Sequence, residues 1–463
     1  MRIGIASVLA GLLWSSAAFA QPAPAKPEDP GKDPGMVSFE KDLDALFTTG
    51  GLTADAAAAR AAKASPNVRK SAASIDVAVA QATQAELARV PRVGVTATYT
   101  RLSPIDPIQL GMGFEIPFLE NSYVGQAQVA ISLSDYVVRY PKLIEGARLG
   151  IDAAKAGKRA AEVDAGQEAR LAYYEWVRAK LQVMIAKRQL AQVRATLGQV
   201  RALAEAQRLS NADKLRVESQ EAQAEQIVDQ LSQLSLLREE QLRLLIDAGS
   251  ETLTIGEDIR AELTAPGEQP LDQLMLSATK QRLEFRALDS GILAKEKQRD
   301  SEKAAQYPRL SAFANADYAR PNQRVFPQAD EFRFTWTAGL QLSWTLNDTL
   351  VSRENTRRFD AEMRELKADR ENLERGTRIA VLAAQQAVTL AQRSLATSQK
   401  GLVAAEESYR VRQALLAAQR ATAVELVDAE TELTRARIAS LNAKIDLRVA
   451  MTQLSHAVGN DAK

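Results

Sequence analysis

The sequence predicts a mainly α-helical protein that also carries four β-strands of the membrane-spanning type, arranged as an internal duplication. Proline is absent between Pro141 and Pro266 and again after Pro327. Because proline breaks helix interiors, these two stretches can hold very long helices. Four other segments alternate apolar and polar residues, as strands with one apolar face do. The same order of motifs returns after about 210 residues, which indicates that one unit has been duplicated.

The predicted strands cover residues 92–101, 123–134, 309–319 and 331–346. The last is the clearest, because apolar side chains occupy every second position from Phe332 to Trp344 and polar or small ones lie between them. A tilted strand of about ten residues is long enough to cross the apolar part of a bilayer. The alternation therefore predicts strands with one face toward lipid.

Six aromatic residues belong to the apolar faces of these segments. Aromatic side chains are typical of lipid-facing positions and of membrane interfaces in barrel proteins. The alternative is that they form the core of a soluble sheet. The six are Tyr99, Tyr123, Tyr318, Phe334, Trp336 and Trp344.

The N-terminus has the pattern of a secretory signal peptide over residues 1–20. Arg2 begins it, an apolar run follows, and the small residues Ala18 and Ala20 flank Phe19 at a cleavage site. Residues 21–50 are predicted to be a Pro-rich tether. The chain has no cysteine, which excludes disulfides and thiolate metal sites, and its net charge of +1 gives no indication of nucleic-acid binding. We therefore expect an exported protein.

The duplicated units are expected at 51–249 and 270–460, joined by a connector at 250–269. A Pro-Arg pair precedes the first strand of each unit, at Pro91 and at Pro308. Each unit reads as short helix, helix, strand, strand, long helix, helix. A helix of about 66 residues would reach on the order of 100 Å, and the helices before and after it sum to about the same length. We therefore expect long helical hairpins with the strands at one end and a helix break at the other.

Four strands per chain are too few to close a barrel, and open strand edges are not tolerated in lipid. Membrane-spanning strands would therefore require several chains to share one barrel, and three chains would supply twelve strands, an even number typical of such barrels. The helical rods would continue the wall as a tube. This architecture is typical of a conduit rather than of a catalyst.

Several short motifs occur in a fixed order across the two units. They are the Leu-Thr-x-x-x-Ala start at Leu52, the turn at Ser65-Pro66, the strand endings Ile131-Ser-Leu-Ser134 and Leu340-Gln-Leu-Ser343, and the segment Val424-Glu-Leu-Val-Asp-Ala-Glu430. In this order they resemble the TolC-type outer-membrane efflux factors over roughly residues 50–460.

The resemblance implies a homotrimer with a shared twelve-strand β-barrel in the outer membrane and an α-helical barrel in the periplasm. It implies a passive exit duct of a tripartite efflux pump or type I secretion system, for drugs, small molecules or proteins. The expected partners are a periplasmic adaptor, also called a membrane fusion protein, an inner-membrane transporter and outer-membrane lipid.

The resemblance also implies a pore constriction at the periplasmic entrance, formed by Glu425 and Asp428, with Asp213 as the equivalent in the first repeat. The alternative is a solvated helix face, where acidic residues three apart are ordinary. The resemblance further implies a latch, a tyrosine and an arginine just upstream that hold the entrance shut. The matching positions here are Leu416 and Ala421, so the latch is absent or built differently. Arg412 and Arg420 lie nearby in the sequence.

No motif for a nucleophile, a phosphate loop or a metal site is present, so we expect neither enzymatic activity nor a cofactor. His456 is the only histidine and is not expected to act as a metal ligand. Two other functions stay open: a periplasmic adaptor, which should carry one hairpin flanked by β-rich modules, and an envelope coiled-coil protein, which should show clean heptads.

Overall fold

A computed structural model describes residues 41–106, 108–109, 115–116, 119–207, 210–261, 263, 267, 269–326, 328–418 and 420–462. The chain divides into a first unit that ends at Ala45 and a second that starts at Leu46. The predicted signal peptide and most of the predicted tether lie outside the described residues. The second unit carries all the elements discussed below.

The end of the predicted tether is structured. Strand β1 (Phe47–Leu52) lies there and bridges to Ile255 in the connector. The Leu52 N–H donates to the Thr254 carbonyl at 2.8 Å, and the Gly256 N–H donates to the Leu52 carbonyl at 2.8 Å. A Cβ on Gly51 would meet the connector backbone at 2.8 Å, so this approach of two chain segments requires glycine.

The first repeat begins with two helices separated by the predicted turn. Thr53 caps the first helix by accepting from the Ala56 N–H at 3.2 Å, and Pro66 starts the second at the position where proline is favoured. The elements are α1 (Ala54–Ala64), α2 (Pro66–Leu87), β2 (Arg92–Arg101), β3 (Ile108–Gln109), β4 (Glu115–Ile116), β5 (Asn121–Ser132), α3 (Leu133–Val137), α4 (Arg139–Glu205) and α5 (Asn211–Leu245).

Several details differ from the sequence expectation. The second predicted strand, 123–134, ends early, because β5 stops at Ser132 and α3 begins at Leu133. The last predicted strand, 331–346, is too long at both ends, since β7 spans Arg333–Ser343 and α8 starts at Leu346. The segment read as a plain loop contains the short antiparallel pair β3–β4. Helix α4 starts two residues before Pro141, which is possible because the first turn of a helix does not use its N–H groups.

The second repeat follows the same order without the short additions. It consists of α6 (Leu271–Gln281), α7 (Leu283–Lys303), β6 (Arg309–Arg320), β7 (Arg333–Ser343), α8 (Leu346–Ala417) and α9 (Ala423–Val458). Gly459 ends α9 with φ at +80°, the left-handed conformation that suits glycine at a helix C-terminus. The long helices α4 and α8 have 67 and 72 residues, so each spans about 100 Å.

The shorter helices pack along the long ones one after another, from the strand end to the helix break. Arg148 of α4 pairs with Glu86 of α2 at 2.9 Å near the strands, and Arg201 of α4 pairs with Glu218 of α5 at 3.2 Å near the helix break. Helix α4 also packs against α7 and α9, and α8 packs against α7 and α9. The predicted hairpins of matched length are thus confirmed.

One antiparallel sheet joins the two repeats. Its strand order is β2-β5-β6-β7, and β5 pairs with β6 from the second repeat, for example Ala127 with Ala316. The core lies about midway along α4, where Tyr173, Trp176 and Val177 are fully buried. The fold class, mainly helical with a four-stranded antiparallel sheet and an internal duplication, is confirmed.

Candidate functional site

The register of the sheet brings the alternating apolar residues onto a single face. Tyr99 lies opposite Tyr123, and Tyr318 lies opposite Phe334. Trp336 follows two residues along β7, opposite Ala316. The small and polar residues of the same strands, such as Gln126 opposite Asp317, lie on the other face.

The two faces differ in exposure. All six predicted aromatics are exposed, with Trp336 at 66%, whereas Thr335 and Thr337 on either side of it are half-buried. This asymmetry indicates a sheet that curls around its polar face. The apolar face therefore lacks a covering layer within the described part of the chain, and burying it against lipid would remove that exposure.

Aromatic residues gather at both ends of the sheet. At the loop end, Phe332 stacks on Tyr318 with ring centroids 5.0 Å apart and lies 6.3 Å from Tyr123. At the helix end, Trp344 donates from Nε1 to the Thr349 hydroxyl at 3.2 Å. Phe332 belongs to the alternating pattern but was not among the predicted interface residues, and the register shows that it joins their cluster.

Among the described residues, no helix combines the length and the apolar character needed to cross a bilayer.

The acidic residues predicted at the entrance lie where each hairpin reverses. Glu425 occupies the third position of α9 and forms a capping box with Thr422: its N–H donates to the Thr422 hydroxyl at 3.2 Å, and its carboxylate accepts from the Thr422 N–H at 3.4 Å. Asp213 occupies the same position of α5, and its N–H donates to the Ser210 hydroxyl at 3.2 Å. Both residues therefore stabilise a helix start, whatever else they do.

Asp428 lies one turn further along α9 and takes no part in the cap. Its side chain is 58% exposed and lies 3.9 Å from the guanidinium of Arg216 on α5, so this ion pair joins the second hairpin to the first. Arg412 on α8 lies 3.7 Å from Glu425, within one hairpin. The sequence alone did not assign a partner to Arg412, and Arg216 was not singled out.

Leu416 is in the last turn of α8 and Ala421 is in the turn that follows, and neither can form an ion pair. The backbone N–H of Arg420 donates to the Leu415 carbonyl at 2.8 Å, which helps to close the turn. Charged contacts at this end come instead from Arg412 and Arg216.

One acidic residue of the same segment is not at the surface. Glu430 is 5% exposed and accepts a hydrogen bond from Gln192 on α4 at 3.0 Å. Sequence reasoning missed its burial, although Leu426, Val427 and Leu433 share its face of α9 at helical spacing.

No group of three or more His, Cys, Asp and Glu side chains in the described part of the chain could hold a metal ion. His456 lies far along α9 from the entrance, with Nε2 3.5 Å from an Asp164 carboxylate oxygen.

Residues 274–460 match the family model of outer membrane efflux proteins. No curated protein sequence matches the chain.

Solved structures align over most of the chain. The open state of the Neisseria gonorrhoeae MtrE outer membrane channel has a TM-score of 0.72 at 17% identity and covers 89% of each chain. VceC from Vibrio cholerae has a TM-score of 0.70 at 16% identity over 88% of this chain and 96% of its own. The Campylobacter jejuni CmeC outer membrane channel has a TM-score of 0.71 at 12% identity over 91% of this chain and 88% of its own. At these identities the likeness is one of fold.

Residues 274–460 are thus similar to the outer membrane efflux protein family, and the chain shares its fold with these solved channels over most of its length.

Proposed function

We propose that three copies of this chain form an outer-membrane channel that continues as a helical tube into the periplasm. Each copy would supply four strands to one twelve-strand barrel and two long hairpins to the tube. The chain would act as a passive exit duct and not as an enzyme. Its two repeats, 51–249 and 270–460, would contribute one hairpin each, and the connector 250–269 would join them.

The observation that carries the proposal is the open sheet on top of the long hairpins. Its apolar face is exposed, and β2 and β7 have no partner on their outer sides within the described part of the chain. Unpaired strand edges are not stable in lipid, so the edges of one copy must pair with those of another. Only closure by several copies satisfies both the edges and the apolar face.

The proposed partners are a periplasmic adaptor and an inner-membrane transporter, of a drug or small-molecule efflux pump or of a type I secretion system. Such partners follow from the family, because a passive duct in the outer membrane needs an energised pump in the inner membrane. The solved MtrE and CmeC structures are described as outer membrane channels.

We infer that the helix-break end is the periplasmic entrance. Three copies of the exposed Asp428, with Glu425 beside it, would form a ring of carboxylates on the threefold axis. Asp213 would belong to the neighbouring hairpin of the same rim. A carboxylate ring favours cations and resists anions at a constriction. The Arg216–Asp428 pair would link the two hairpins of one copy at this rim.

The test is assembly and conduction of the full-length protein. We expect it in the outer-membrane fraction as an oligomer that runs as three chains on unheated gels and as one after boiling. In planar bilayers it should give cation-preferring channels. Co-purification from cross-linked cells should bring down an adaptor, together with either an efflux transporter or a secretion ATPase, which identifies the system served.

A soluble monomer in the periplasm would contradict the proposal and would support the adaptor or the envelope coiled-coil alternative. A trimer in the outer membrane without conductance would retain the assembly and reject an open duct under those conditions.

A further inference from the structure

Glu430 is a buried carboxyl group at the contact between the two hairpins. It lies on α9, in the second hairpin, and is 5% exposed. Its Oε1 accepts a hydrogen bond from Nε2 of Gln192 on α4 at 3.0 Å, so the contact joins the second repeat to the first. Its other oxygen, Oε2, is buried without a hydrogen-bond partner.

The partners of Glu430 are neutral. Within the described part of the chain its hydrogen bond comes from the Gln192 amide on α4, and the neutral Thr196 hydroxyl, one turn further along α4, lowers its pKa. Neither an arginine nor a lysine contributes to its pKa. The charged residues within about two turns on the two packed helices are Lys187, Arg188 and Arg194 on α4, and Glu425, Asp428, Glu432, Arg435 and Arg437 on α9.

Charged residues on the adjoining helices engage other groups. Arg216 of α5 lies by Asp428, Arg412 of α8 lies by Glu425, and Glu406 of α8 interacts with Arg437. A buried carboxylate without a counter-charge is costly, because burial disfavours the charged form. Burial therefore raises the pKa of Glu430 from its ordinary value of 4.5 to about 7, although the hydrogen bonds from Gln192 and Thr196 oppose the rise.

We propose that Glu430 is a proton-responsive contact that holds the two hairpins together while it is neutral and loosens them when it ionises. Ionisation leaves a buried charge with only neutral donors and with one oxygen unpaired. Water reaches that charge only if α9 moves away from α4. The acidic entrance residues Asp428 and Glu425 lie on the same helix, within about a turn and a half of Glu430, so this movement would carry them with it.

The direction of the pH effect follows from the raised pKa of Glu430. In a loosened arrangement the carboxyl is hydrated and its pKa returns toward 4.5. The packed arrangement therefore has its full stability below about pH 4.5 and loses it as the pH rises through 7. Between these limits the equilibrium shifts toward the loosened arrangement on the order of 100-fold.

The experiment measures the distance between α4 and α9 in the full-length protein. The chain has no cysteine, so spin labels can be placed at Ala195→Cys and Ala439→Cys, with labelled copies diluted into unlabelled protein. Double electron–electron resonance from pH 5 to pH 8.5 should show a longer distance whose population rises up to about pH 7 and stays constant above it. Glu430→Gln, which mimics the neutral acid, should keep the short distance throughout.

A second variant acts by the opposite chemistry. Gln192→Lys places a cation beside the carboxylate, so it should also keep the short distance up to pH 8.5. The matched control is Glu432→Gln, which removes an exposed carboxylate two residues away, paired with Arg435 at 2.7 Å, and should retain the pH transition.

The proposal is overturned if the unsubstituted protein shows no transition, or if Glu430→Gln and Gln192→Lys both keep it. Its consequence for the entrance rests on the proposed channel, but the distance measurement does not need a conducting pore. A missing transition in a conducting trimer therefore rejects only the proton-responsive contact, and a transition in a non-conducting protein rejects only the duct.

Discussion

The long helices α4 and α8 are counterparts in the duplicated chain, yet their surroundings differ. Helix α4 packs against α2, α5, α7 and α9, and its midpoint carries the fully buried Tyr173 and Trp176. Helix α8 packs mainly against α7 and α9, and Ile379 and Leu390 on it are each 70% exposed. One helix is enclosed by its own chain, and the other leaves apolar side chains uncovered.

The apolar pattern of a helix therefore indicates which face will be covered but not which chain will cover it. In a single copy, α4 completes the core while α8 forms an edge. The sheet repeats the contrast, since β5 and β6 have partners on both sides and β2 and β7 on one. In the proposed trimer, the uncovered face of α8 and the edges of the sheet would contact the neighbouring copies.

The largest expected effect comes from the enclosed helix. Trp176→Ala should remove a fully buried ring that lies 5.9 Å from that of Tyr173 and should leave a cavity at the centre of the helical bundle. Truncations of this kind cost about 3–5 kcal/mol of unfolding free energy. Chemical denaturation of the purified protein, followed by circular dichroism, measures it.

The control lies on the other long helix. Leu390→Ala should leave the helix content unchanged and should lower the fraction of trimer on unheated gels. Equal losses of folding stability in the two variants would contradict the distinction between an enclosed and an edge helix.

The next effect separates lipid from protein as the covering of an exposed apolar surface. Leu340→Arg places a charge on the apolar face of β7, whereas Gln341→Arg places it on the polar face of the same strand. A charge on a lipid-facing position near the middle of a bilayer costs about 2–4 kcal/mol. We expect Leu340→Arg to deplete the protein in the outer-membrane fraction and Gln341→Arg to leave it near normal. Similar depletion by both would mean that the face meets protein.

The strands and helices were predictable because their signals are local. Alternation along 331–346 and the proline-free stretches need no knowledge of other residues, and the observed bounds, Arg333–Ser343 for β7 and Leu346–Ala417 for α8, follow them closely. Register follows as well, because a shift by one residue would turn Trp336 to the polar face.

The entrance was less predictable because its contacts are tertiary. Glu425 and Asp428 were placed by motif, but the pairing of Asp428 with Arg216 joins residues more than two hundred positions apart. The burial of Glu430 depends on Gln192 and Thr196 of another helix. A single sequence carries no signal for such partners. The capping role of Glu425 could have been read, since Thr422 three residues before it is the pattern of a capping box.

The smallest expected effect on stability, and the most selective on conduction, comes from separating cap from charge at the entrance. Glu425→Gln keeps a side chain that can complete the capping box, and Asp428→Asn alters no cap, so the double variant should change the unfolding free energy by less than about 0.5 kcal/mol. It removes two carboxylates per copy from the proposed ring. We therefore expect a reduced cation preference, measured as a reversal potential across a KCl gradient in planar bilayers.

Thr422→Ala is the opposite control: it should cost about 1 kcal/mol through the lost cap and leave both charges in place. If its reversal potential matched that of the double variant, the local structure of the turn would govern selectivity. If neither variant changed the reversal potential, these carboxylates would line a solvated helix face, and the first repeat's Asp213 would be expected to behave in the same way.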